Sequence, residues 1–97
     1  MSSKQTAVVP NRDDASVNKT PYTVIHAGQS VPQVKAVRLV SPITGAITVE
    51  LTVPVQNGIP AIPVSTMDAT ARRINPNARV KRYGKTPNHI FREYVTR

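Results

Sequence analysis

The 97-residue chain has no cysteine and no tryptophan. Disulfide staples and thiolate metal sites are therefore excluded. Its only aromatics are Tyr22, Tyr83, Phe91 and Tyr94. No apolar run approaches the roughly 18 residues of a membrane span. Residues 1–14 are polar and lack the apolar centre of a cleaved signal. The expectation is a protein that is not exported by such a signal and works in a virion or the cytoplasm, without a membrane partner.

Acids are scarce and badly placed for catalysis. They are Asp13, Asp14, Glu50, Asp68 and Glu93. Asp13 and Asp14 are adjacent in a polar stretch, whereas a working carboxylate pair needs a rigid site and a set separation. His26 and His89 are the only histidines, and no nucleophile elbow accompanies them. Gly28, Gly45, Gly58 and Gly84 stand alone, so there is no glycine-rich phosphate loop; each fits a turn. The reading is a non-enzyme with no catalytic residue, no metal and no cofactor.

Leucine is also rare. Leu39 and Leu51 stand against fourteen valines and seven isoleucines. β-Branched side chains suit a pleated sheet and are stiff in helices. Nine prolines limit that sheet, since each lacks a backbone donor.

The clearest element spans residues 46–53. Ile47, Val49, Leu51 and Val53 alternate with Thr48, Glu50 and Thr52, as in a strand with one buried face. Val31, Val34, Val37 and Val40 recur every three residues, but Pro32 and the valine density favour a strand over residues 34–40. Ser41-Pro42-Ile43-Thr44-Gly45 joins these two strands as a hairpin. Residues 22–26 have strand composition, followed by a turn at Ala27-Gly28-Gln29-Ser30. Asn57-Gly58 marks another hairpin, and Pro60 and Pro63 restrict its return strand to an edge. Ser65 with Asp68 opens a helix of about nine residues with Met67, Ala71 and Ile74 on one face; Asn75-Pro76 ends it. For His89 to Val95, the pattern does not choose between helix and strand.

The charge is lopsided. Residues 1–68 carry five Lys/Arg against four Asp/Glu, a net +1, and residues 69–97 carry eight against one, a net +7. Such asymmetry points to an anionic partner. Arg72, Arg73, Arg79, Lys81, Arg82, Tyr83, Lys85 and Arg92 are the candidate contacts. Arginine dominates the set, which suits bidentate phosphate recognition, and the interleaved aromatics offer stacking. Tyr94 and Phe91 have a plainer reading as anchors to the sheet.

The expected architecture is mostly β: a small hairpin or meander of two to three antiparallel strands, one short helix and an extended basic C-terminal arm. Residues 1–20 form an extended or disordered arm, 21–75 the β-rich domain, and 76–97 the basic arm. The expected role is a non-enzymatic structural or assembly protein of a large particle, foremost a minor or cementing, capsid-associated virion protein. Its basic arm would contact nucleic acid or an acidic protein surface of fellow subunits. A free-standing nucleic-acid-binding or regulatory protein is the alternative.

Overall fold

The computed structural model describes residues 6–96. In chain order the elements are β1 (Thr6–Pro10), a single 3-10 turn (Arg12–Asp14), β2 (Lys19–His26), β3 (Gln29–Ser30), β4 (Lys35–Val40), β5 (Ile47–Gln56), β6 (Ile59–Pro60), α1 (Val64–Ile74), β7 (Ala78–Lys85) and β8 (His89–Thr96). The strands form one antiparallel sheet in the order β1-β2-β4-β5-β8-β7, with β3 added to β2 and β6 to β5.

The alternating strand β5 sits near the centre. Val49, Leu51, Val53 and Val55 are buried on its inner face, and Glu50 is exposed on the outer one. In β4, Ala36 lies opposite Leu51. In β2, Tyr22 lies opposite Ala36, and the next inner residue, Val24, is fully buried. The inner row continues into β8 through Ile90, Arg92 and Tyr94, which oppose Val53, Leu51 and Val49.

The helix covers this face. Met67, Thr70 and Ala71 have no exposed surface, and Ile74 packs at the margin of the same core. Thr70 satisfies its buried hydroxyl by donating to the Thr66 carbonyl, one turn back, at 2.7 Å. The helix begins one residue before Ser65. Its N-cap is Pro63, with no side-chain cap hydrogen bond. Ser65 therefore lies inside the first turn, not at the cap. Asn75 ends the helix as the sequence indicates, and its backbone N–H donates to the Ala71 carbonyl at 2.8 Å.

The helix touches β1 at one edge of the sheet, central β5, and β7 at the other edge. The helix therefore lies across the sheet and reaches both of its edge strands.

Two expectations need correction. The sheet has eight strands, not two or three, and no C-terminal arm exists among the described residues. Residues 78–96 form the β7–β8 hairpin, whose β8 is bonded to central β5 along seven residue pairs. Pro87 lies in the connecting turn, where Thr86 Oγ1 accepts from the backbone N–H groups of Asn88 and His89. Gly84 marks no turn. It lies inside β7 opposite Phe91, whose ring covers the space a Cβ would fill. Towards the other end of the chain, Thr6–Pro10 forms edge strand β1, paired to β2; residues 1–5 lie outside the described residues.

The turns follow the sequence closely. Ser41 Oγ accepts from the backbone N–H groups of Ile43 and Thr44, and Gly45 supplies a positive φ of 75°. Asn57 (φ 55°) and Gly58 (φ 76°) make the tight β5–β6 turn. Ala27 (φ 54°) does the same before Gly28, although alanine has no side-chain bond to offset that conformation.

Two outcomes are expected from equilibrium denaturation. Leu51→Ala should destabilise the fold by about 2–5 kcal/mol, since its side chain is fully buried in the core, whereas Glu50→Ala should stay within about 0.5 kcal/mol. Equal losses at both positions contradict the face assignment. Ala27→Asn, which makes an Asn-Gly turn, should stabilise by about 0.5–1 kcal/mol.

Candidate basic surface

β7 is an edge strand with β8 on one side only. Its exposed residues include Arg79, Lys81, Arg82, Tyr83 and Lys85, and it carries no acid. The phase of the strand changes midway. Val80 opposes Tyr94 and Arg82 opposes Glu93, leaving Lys81 as the extra residue of a β-bulge. Before the bulge Val80 shares the inner face with Tyr94. After it, Tyr83 and Lys85 take the inner face, opposite Arg92 and Ile90. Arg79, Arg82 and Gly84 fall on the outer face.

The eight sequence-predicted residues divide by environment. Arg72 and Arg73 are exposed in the last turn of α1, which leads through Asn75 into β7. There they also suit the negative end of the helix dipole. None of Arg72, Arg73, Arg79, Lys81 and Lys85 forms an ion pair among the described residues. Arg82 Nε donates to Glu93 Oε1 at 3.0 Å, but its side chain is well exposed and such pairs contribute little. The pair also relieves Glu93 of the like charge of Glu50, directly opposite it in β5.

Arg92 is differently placed. Its side chain is only 16% exposed. Its Nε donates to Asp68 Oδ1 at 3.1 Å and to the Tyr94 hydroxyl at 3.2 Å, while Tyr94 donates to the same Asp68 oxygen at 2.6 Å. Asp68 thus ties the helix to β8 through two residues. The sequence suggested a helix-end role for Asp68, because its partners lie 24 and 26 residues away. The Arg92 guanidinium also lies over the Tyr83 ring, 5.4 Å from its centre, a cation–π contact.

Protonation follows from this packing. Burial in the core raises the Tyr94 hydroxyl well above the ordinary tyrosine range, and its bond to Asp68 adds to the shift. Burial alone lowers Arg92, but the Tyr94 hydrogen bond and the Asp68 charge outweigh it and the net shift is upward.

The aromatics serve three separate purposes. Tyr94 is a core residue, Phe91 shields Gly84 on the outer face, and Tyr83 is 71% exposed. Elsewhere, an open cleft of about 830 Å³ lies between the β2–β3 and β5–β6 turns, lined by His26, Gln29, Val31, Pro54, Gln56 and Ile59 among others. His26 Nδ1 is buried with no hydrogen-bond partner among the described residues. None of the predicted contact residues lines this cleft. No cluster of three or more potential metal ligands occurs among the described residues.

Removing Asp68 leaves a largely buried guanidinium and a buried hydroxyl without their carboxylate acceptor. Asp68→Ala should destabilise by about 1–3 kcal/mol in denaturant titration. Tyr94 also sets a pH dependence. Its folded-state value lies above that of the unfolded chain, near 10. The stability it contributes is complete below about pH 10 and is lost as pH rises through the folded value. Tyr94→Phe should remove this component, so the variant should lose less stability than the parent between pH 9 and about 11.5. Parallel losses in the two proteins contradict the assignment.

Comparison of the chain with known protein families, with curated proteins and with solved structures finds no match.

Proposed function

We propose that this chain is a non-enzymatic structural subunit of a large particle, a minor or cementing virion protein, which docks through its basic flank on an anionic partner. The observation that carries the reading is edge strand β7. It presents Arg79, Lys81, Arg82 and Lys85 with no acid of its own, and Arg72 and Arg73 extend the charge along the end of the helix. Charge concentrated on one rigid edge steers an anion to one orientation, which an assembly contact requires. The small Val- and Pro-rich sheet also fits a protein that fills a place between larger neighbours. On this reading the partner is nucleic acid or an acidic surface of another subunit.

A free-standing nucleic-acid-binding module is the second reading. The exposed ring of Tyr83 within the basic strand favours it.

Tagged chain recovered gently from its native source separates the two. The assembly reading expects it in a particle far heavier than its own 10.6 kDa. The double variant Arg79→Glu, Lys85→Glu should fold but be absent from that particle. A chain that migrates alone in the lysate contradicts the assembly reading. Incorporation of the double variant at the normal level contradicts the assigned surface.

A further inference from the structure

We propose that the inner face of the β7–β8 hairpin is a stacking platform for an unpaired base, which makes single-stranded nucleic acid the anionic partner. This rests on the reading of the basic flank as an anion contact and gives that anion a chemical class. Tyr83 is the informative residue. Its ring is 71% exposed between Lys81 and Lys85, so a flat π-face sits among cations, the combination that stacks a base while holding its phosphates.

The ring is held from below. Arg92 lies over one of its faces at 5.4 Å, and Arg92 is itself fixed by Asp68 and the buried Tyr94. The cation–π contact favours one orientation of the ring, which lowers the entropic cost of binding. Its other face is available to a base. The adjoining cations are placed for a sugar–phosphate chain. Lys85 follows Tyr83 on the same face of the strand, about 7 Å along. Lys81 stands at the bulge, and neither lysine has an ionic partner among the described residues. Aromatic stacking with flanking cations is the common mode of single-strand binding.

A duplex is the competing anion, since a two-stranded ribbon can enter a major groove. Duplex bases already stack on one another, so Tyr83 gains one only by unstacking it. Phosphate contacts alone would bind single and double strands with little use for the ring.

The test is fluorescence anisotropy with labelled oligothymidylate and with a labelled mixed-sequence duplex, at low salt, using the full chain. The intact protein should prefer the single strand. Tyr83→Ala should weaken that binding by about 5- to 150-fold, the equivalent of one lost stack. Tyr83→Trp should retain it. Circular dichroism and thermal melting establish that both variants fold. Equal binding of the two probes, unchanged by Tyr83→Ala but lost in the Arg79→Glu, Lys85→Glu variant, overturns the platform and leaves the anionic surface standing. If neither probe binds, the platform is overturned, and retention on a polyglutamate column then decides the wider reading: retention keeps the anionic surface, and free passage removes both.

Discussion

The helix has one apolar face and needs a surface to bury it. An isolated helix of 11 residues is marginal in water, so α1 depends on packing. Its Met67 and Ala71 join Val49, Leu51 and Val53 of the sheet in one core. The docked helix touches strands at both edges of the sheet. Most of the geometry follows from this. The closeness of the helix end to β7 and the reach of Asp68 to Arg92 and Tyr94 both presuppose the docked helix.

The same docking gives the basic segment its rigidity. Positive charge on a free arm would be spread over many conformations. Here it is bonded through β8 to the central strand and anchored by Asp68. Edge strands invite unwanted pairing, and charged side chains with a bulge are common protections. β7 has both. Its cations discourage pairing with a second basic edge, and they attract an anion to the same place. Protection and recognition therefore need no separate residues.

Much of the fold was legible because its strongest signals are local. The alternation of Ile47 to Val53, the turns at Gly45 and Asn57-Gly58, and the Met67, Ala71, Ile74 stripe all reflect burial within a few residues. The β7–β8 hairpin was not legible, for three physical reasons. The bulge at Lys81 moves the inner residues from even to odd positions, which destroys the period. Arg92 occupies an inner position that a strand pattern assigns to an apolar residue, and its acceptor Asp68 is on another element. Gly84 resembles a breaker, whereas the ring that replaces its missing side chain comes from the opposite strand. The candidate cations were legible as a cluster, but the sequence could not separate Arg92, which holds the structure together, from Arg79, Lys81 and Lys85, which face solvent.

The central claim is that the basic C-terminal segment belongs to the sheet before any partner arrives. Amide hydrogen exchange on the isolated chain, resolved by residue, tests it most directly. The account predicts that the amides of β8 bonded to β5 exchange as slowly as those of the β4–β5 ladder. Exchange of residues 78–96 at the rate of an unstructured peptide, beside a protected β4–β5 hairpin, would contradict it.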